Sequence, residues 1–340
     1  MPTALVLGGT RQIGRALVLA LHAQGWRVLV ANRGVSADDL PSDVVRIRAD
    51  RDVAGALARA LAPHEAELVI DCTAYTGVQA REAATAMLGR TARFVLVSTG
   101  QVYLVGAGAP ALCAEHEDAR PLVPAPSHPW HLDQWRYGVH KREAEAAVQE
   151  AAGQGLPASI LRIPMVHGPR DPYERCWNYL WRARDGGLLV LPDDAPRGLR
   201  HVHVDDVVQA ILSLARTPSE AGRAWNLAPR ESLALDDALH RLAAHARTEL
   251  TGARLPRAAL DERALLPACA PFSSPWMSVL DGSALAAHLG WWPRPCIDTL
   301  DALWGGLAAA PPSRPPASAP QRAQERELVP LATRVDRFGS

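Results

Sequence analysis

Tyr137-Gly138-Val139-His140-Lys141 places a phenol and an ammonium four residues apart. On a helix this spacing puts both side chains on one face, roughly 6 Å apart along the axis. A phenol ionises near ~10 and is a poor base unaided. A neighbouring cation favours the phenolate. At about 4 Å and an effective dielectric of ~20, one such charge is worth about 4 kcal/mol before screening. The pair is therefore suited to moving a proton at neutral pH, with Lys141 expected to bring Tyr137 down. The same spacing also occurs on ordinary surface helices, so position must decide. Upstream, Val97-Ser98-Thr99-Gly100-Gln101-Val102-Tyr103 ends an apolar run with hydroxyls that can hold a substrate oxygen.

A second constellation lies at the start of the chain. Gly8-Gly9-Thr10-Arg11-Gln12-Ile13-Gly14 follows an apolar run and precedes a helical pattern. Backbone N–H groups at a helix N-terminus, aided by the helix dipole, suit the pyrophosphate of a dinucleotide. Gly8 permits the tight turn and Gly14 a close approach of helix to strand. The spacing departs from G-x-G-x-x-G, with Arg11 where a middle glycine would stand; a plain glycine turn is the alternative. The second apolar run ends Ala31-Asn32-Arg33-Gly34, without the acidic residue that would accept the ribose 2′-hydroxyl of NAD. A guanidinium suits a 2′-phosphate, so Arg33, with Arg11, favours NADP(H) over NAD(H). The alternative is that Arg33 is a solvated loop cation. Asp50 and Arg51 follow the third run, where the adenine can be met.

The elements that position these groups alternate. Strand-like runs at 4–7, 27–31, 44–48, 68–71, 94–98 and 158–162 are separated by helical patterns at 13–24, 53–61, 79–88 and 137–151, with another at 207–214. Continuous apolar runs between helices imply an α/β fold with a doubly wound parallel sheet covered on both faces. Residues 104–135 are proline-rich and aperiodic, a loop-rich excursion before the tyrosine. The expected organisation is a dinucleotide-binding core over 1–165, with part of it recurring near 200–228. A smaller mixed C-terminal substrate-binding region covers 166–310, and a Pro-rich linker and polar tail cover 311–340. The tail is either disordered or an arm that docks.

Composition excludes some functions. The 340 residues hold 36 Lys+Arg and 36 Asp+Glu, so a bulk nucleic-acid surface is not expected. No apolar run approaches the ~20 residues that span a bilayer. Residues 1–7 read as a buried strand rather than an export signal. Five scattered cysteines form no C-x-x-C pair, pointing to a reducing cytoplasm and to neither zinc nor disulfides. His128, His131 and His140 do not have metal-ligand spacing, and no metal is expected.

Taken in order, Gly8–Gly14, Ser98-Thr99…Tyr103, Tyr137-x-x-x-Lys141, Leu161-Arg162-Ile163-Pro164…His167-Gly168-Pro169 and His203-Val204-Asp205-Asp206-Val207 resemble the extended short-chain dehydrogenase/reductases. The likeness is to their NAD-dependent epimerase/dehydratase branch, with an atypical start, and covers about residues 3–305. It implies a Rossmann-type core and a catalytic set of Thr99, Tyr137 and Lys141. It implies that Lys141 also binds the nicotinamide ribose, that Pro164 and Val166 approach the nicotinamide, and that a homodimer forms through helices such as that of Tyr137. Thr73, Ala74 and Ser98 are further cofactor candidates, although 70–75 departs from the usual small apolar contact. Cys72 reads as a packed thiol. Gln101, Tyr103, Trp177 and Arg200 are substrate candidates, and Trp177, Tyr179 and Trp181 form either a pocket wall or core packing.

Two departures narrow the reaction. Gly100-Gln101 stand where sugar-nucleotide dehydratases carry an Asp-Glu pair. Leu199 stands where a phosphate-binding Arg is usual, with Arg200 one residue over and Arg197 nearby. The sequence therefore reads as an NADP(H)-dependent oxidoreductase acting on a ketone or secondary alcohol of a small metabolite. A redox-neutral sugar-nucleotide epimerase is the enzymatic alternative. A dinucleotide-sensing or RNA-binding protein on the same fold is the non-enzymatic one.

Overall fold

The computed structural model describes residues 1–194, 198–217 and 221–339. The strands are β1 (Thr3–Leu7), β2 (Arg27–Asn32), β3 (Val45–Arg48), β4 (Leu68–Asp71), β5 (Arg93–Thr99), β6 (Ala158–Ile163), β7 (Val166–His167), β8 (Leu188–Pro192), β9 (Val202–His203), β10 (Arg223–Asn226), β11 (Leu250–Leu255) and β12 (Arg334–Phe338). Seven of them form one sheet in the order β10-β6-β5-β4-β1-β2-β3. Every pairing in it is parallel. Ala4 to Leu7 of β1, at its centre, are fully buried. The chain winds outward from β1 in both directions, so β1 and β4 flank the point where strand order reverses. Ligands bind at the carboxyl ends of strands beside such a point.

Helices α1 (Gln12–Ala23), α2 (Ala56–Leu61), α3 (Gly77–Met87), α4 (Gln101–Leu104) and α5 (Pro129–Gly153) belong to this first body. α1 and the later α7 (Val204–Arg216) bury Leu17, Val18, Leu21, Val207 and Ile211 on one face of the sheet. α3 and α5 bury Ala83, Ala84, Ala144 and Val148 on the other. A second core surrounds the sheet β12-β11-β8, with α6 (Arg175–Arg184), α8 (Leu235–Ala246) and, later, α11 (Cys296–Ala309) against it. Between α8 and α11 lie α9 (Arg257–Asp261) and α10 (Ser283–Leu289), and α12 (Arg322–Leu328) precedes β12. β7 and β9 pair as a short parallel ladder joining the two cores.

Element boundaries differ from expectation for local reasons. α2 begins at Ala56 because Gly55 adopts a left-handed φ of 73°. α5 begins at Pro129, well ahead of Tyr137, with the proline in the first turn, where its missing N–H costs nothing. The segment 311–339 is an arm that docks. β12 pairs antiparallel with β11 from Arg334 to Phe338. Arg182 and Glu325, both fully buried, pair at 2.5 Å between α6 and α12. Arg322 adds a contact to Glu325 at 2.9 Å.

A buried ion pair resists loss of one partner far more than replacement of both. Glu325→Ala leaves Arg182 buried without its carboxylate and is expected to lower stability by about 3–5 kcal/mol. Urea unfolding monitored by tryptophan fluorescence measures this; a change under about 1 kcal/mol would show that the arm is not anchored there.

Candidate active site

At the β1–α1 turn, Gly8 has a φ of 90°, and its N–H donates to Ala31 O at 3.0 Å. A Cβ added at Gly14 would lie 2.0 Å from Gly8 O, so strand and helix touch through backbone. α1 has no side-chain cap and no acidic residue in its first turn, so its leading N–H groups meet no competing carboxylate. Gln12 reaches across and donates to Val166 O at 3.1 Å, fixing the turn against β7. Thr10 and Ile13 are half-buried beside it. A helix start this open, with glycine where a side chain would intrude, fits a dinucleotide pyrophosphate.

At the end of β2, Arg33 is exposed, and Asn32 Oδ1 accepts from Gly34 N at 2.7 Å to close the turn. Arg11 is also exposed and donates to Ser36 Oγ at 3.1 Å. Arg51 is placed differently from expectation. Its guanidinium binds the buried Asp71 at 2.6 and 2.8 Å, Thr73 Oγ1 at 3.0 Å and Gln79 O at 2.7 Å. It ties β3 to β4 and is not available to the adenine. Asp50 accepts from Asp52 N at 3.0 Å. Thr73 packs on Gly8, with its Cγ2 2.1 Å from where a Cβ would stand.

At the chemical end, Thr99 closes β5 and Tyr137 lies on α5. The Thr99 side chain lies close enough to the Tyr137 phenol to favour its ionised form. Thr99 Oγ1 also accepts from Gln101 N at 3.2 Å. Gly138 allows the helix this close, since a Cβ there would lie 2.9 Å from Gln101 O. Lys141, buried, donates to Ala74 O at 2.9 Å and Val97 O at 2.8 Å. Burial pushes its ammonium down to about 8, against the pull of Asp71 and Glu145. The expected lowering of Tyr137 is not found: burial pushes its phenol up, Tyr75 adds to this, and the nearby Thr99 offsets only part. Cys72 is likewise pushed up to about 12 by burial and is no nucleophile.

Two expected ligand contacts face elsewhere. Ser98 donates to Glu145 in the interior. Glu145 also receives Arg162 Nη2 at 2.6 Å. Tyr103 is fully buried, and its hydroxyl donates to Asn226 Oδ1 at 2.8 Å and accepts from Arg162 Nη1 at 2.6 Å. Arg162 continues to Asp118 and to Glu115 O at 2.9 Å. Ser98 and Tyr103 thus belong to a polar bolt holding the 104–128 excursion. Arg200 is also engaged, donating to Ser232 Oγ at 2.8 Å and Leu280 O at 3.0 Å. Leu199 is buried in a bridge to Leu233, and Arg197 lies outside the described residues. Gln101 is buried, with its amide on Gln134 O at 2.7 Å. Pro164 is buried at the end of β6.

Trp177 does line a cleft. A cavity of about 440 Å³ opens between 167–177, α11 and the arm. Its indole N–H donates to Arg314 O at 3.3 Å. Tyr179, in contrast, is fully buried core. Sequence reasoning missed two exposed aromatics near Tyr137. Tyr75 is 52% exposed, with its ring 6.5 Å from that of Tyr137. Tyr173 is 68% exposed, with the Arg175 guanidinium 4.3 Å over its ring. The available signal was an aromatic just past a strand end, which is weak alone. Among the described residues, no group of His, Cys, Asp or Glu could hold a metal, and no helix is long and apolar enough to cross a membrane.

The profile of the NAD dependent epimerase/dehydratase family matches residues 4–228. The chain belongs to this family. The chain is 29% identical over 236 residues to 2'-dehydrokanamycin reductase of Streptomyces kanamyceticus, across 67% of this chain and 62% of that one. It therefore spans under two thirds of that relative's length. Two solved structures share the fold. The UDP-glucose 4-epimerase of Thermotoga maritima, with UDP-glucose, is 20% identical with a TM-score of 0.69, covering 89% of this chain and 97% of that one. The UDP-glucose 4-epimerase of Thermus thermophilus, with NAD, is 20% identical with a TM-score of 0.69, covering 91% and 100%.

The depressed Lys141 sets a pH signature. A folded-state value near 8, below the ordinary 10.5, means that the unfolded chain binds this proton more tightly. Stability is reduced fully below pH 8 and recovers as pH rises from 8 to 10.5. The slope of unfolding free energy across that window is expected to be more positive in wild type than in Lys141→Met. Equal slopes in urea titrations at several pH values would remove Lys141 as the source.

Proposed function

We propose that the chain is an NADP(H)-dependent reductase of the extended short-chain type, acting on a ketone or secondary alcohol of a small metabolite. The observation that carries this reading is the placement of Tyr137 one helical turn before the buried Lys141, which donates to Ala74 O at 2.9 Å and Val97 O at 2.8 Å, with Thr99 closing β5 beside them. A phenol held protonated at neutral pH is a general acid, the form that carbonyl reduction needs. Thr99 holds the carbonyl oxygen and Tyr137 donates its proton to it. Of the three N–H donors on Lys141, Ala74 O and Val97 O take two, and the third serves a cofactor ribose hydroxyl. When bound, the nicotinamide supplies the hydride to the carbonyl carbon. The exposed Arg33 and Arg11, with no acidic residue at the β2 end, support the 2′-phosphorylated cofactor. The curated relative's name is that of a reductase, which fits this direction.

The epimerase reading has one specific support, the UDP-glucose in a solved relative. Against it, Leu199 is buried and Arg200 is occupied by Ser232 and Leu280, so neither of these described residues supplies the usual guanidinium for a substrate phosphate.

Tyr137→Phe is expected to bind NADPH as wild type does and to lose about 10²–10⁴-fold in turnover of a reducible ketone. Calorimetric titration and NADPH oxidation across a carbonyl panel measure the two. Retained turnover would remove Tyr137 as the acid. Separately, wild type is expected to bind NADPH more tightly than NADH, with the preference reduced in Arg33→Ala. A wild-type preference for NADH would reverse the cofactor assignment.

A further inference from the structure

The rim where β2 and β3 end is crowded with charge, and its pairing is selective. Asp38 is taken by Arg46 at 2.7 Å. Asp39 is taken by Arg15 at 2.7 Å and by Arg170 at 2.8 Å. Asp43 is taken by His22 at 3.0 Å. These partners hold all three carboxyls below their ordinary range, with Asp39 at about 2. Every acidic residue of the 33–43 loop is thereby engaged: Asp38 and Asp39 by guanidiniums and Asp43 by the His22 imidazole.

Three guanidiniums are left over. Arg11 meets only Ser36 Oγ, and Arg33 and Arg48 have no side-chain hydrogen bond or ion pair among the described residues. All three are exposed. Arg48 is the one that sequence reading passed over, since it ends β3 rather than β2. β2 and β3 place Asn32 and Arg48 in register, on neighbouring strands roughly 4.8 Å apart. The Arg48 side chain lies across the turn after Arg33: a Cβ at Gly34 would be 2.6 Å from its Nε. Gly34, with a φ of 69°, supplies the left-handed turn and leaves room for that guanidinium.

We propose that Arg48 is a specificity-determining residue for the cofactor, completing with Arg11 and Arg33 a three-guanidinium site for a ribose 2′-phosphate. This rests on the NADP(H) reading above and adds to it a residue and a mechanism. The neighbouring Asp–Arg and Asp–His pairs remove the carboxylates that would repel a phosphate dianion or capture the free guanidiniums. Forked guanidiniums match the phosphate oxygens bidentately.

The test is calorimetric titration of the full chain with NADPH, NADH and 2′-phospho-ADP-ribose, which lacks the nicotinamide. Arg48→Ala and Arg48→Gln are compared with wild type; Gln keeps most of the stem over Gly34, and NADH affinity reports folding in each. The expected result is a loss of about tenfold or more for NADPH and 2′-phospho-ADP-ribose, with NADH changed less than about twofold. The loss should shrink at high salt. Wild-type preference for NADPH with no selective loss in either variant overturns the role of Arg48 and leaves the cofactor reading standing. Wild-type preference for NADH overturns both.

Discussion

A single buried guanidinium holds the chemical end of this enzyme together. Arg162, at the end of β6, binds Glu145 on α5, the Tyr103 hydroxyl on α4 and the 115–118 turn. Tyr137, Lys141 and Glu145 recur every four residues, so they share one stripe of α5. Glu145 fixes that stripe to β5 and β6 through Ser98 and Arg162. Lys141 fixes it to the ends of β4 and β5 through two carbonyls. Turning the helix out of register would strand buried charges in the interior, which is costly enough to make Tyr137's position close to obligatory.

That rigidity shapes the electrostatics. The phenol is packed against Tyr75 and Thr99 rather than against an ammonium, so burial dominates and keeps it protonated. The ammonium donates instead to backbone oxygens, and burial lowers its affinity for its proton. Tyrosine and lysine thus differ: the phenol keeps its proton, and the ammonium ties α5 to the sheet. The nucleotide end follows a complementary logic. There, Arg15, Arg46 and His22 pair with Asp39, Asp38 and Asp43, while Arg11, Arg33 and Arg48 stay exposed.

Much of this was legible in the residues, and the failures are instructive. Apolar runs separated by helical periods specify a parallel sheet because both faces must be covered, and β1 to β6 lie where those runs fall. Gly14 could be read because helix–strand contact admits no side chain there. Ser98, Tyr103, Arg51 and Arg200 looked available because their partners, Glu145, Arg162, Asp71 and Ser232, are distant in sequence. Long-range pairing of polar groups has no period and leaves no local mark. The first turns of α5 were hidden for another reason: their stabilisation comes from packing and from a first-turn proline, against a sequence dense in polar and aromatic residues. Arg48 escaped notice because only the β2–β3 register brings it to Gly34.

The arm bears on what the cleft can become. Glu174 opens α6 in a left-handed conformation with a φ of 50°, costing a non-glycine residue on the order of 1 kcal/mol. Its carboxylate is held from the far end of the chain, by Arg314 at 2.6 Å and by Ala317 N at 3.2 Å. Pro312, Arg314 and Ala317 also line the cleft beside Trp177. One wall of the cleft is therefore encoded beyond residue 228, where the family-wide match ends. The nucleotide turn and Tyr137 lie in one stretch of sequence and this wall in another. The two can diverge at separate rates, so changes in the arm can reshape this cleft while Tyr137 stays in place.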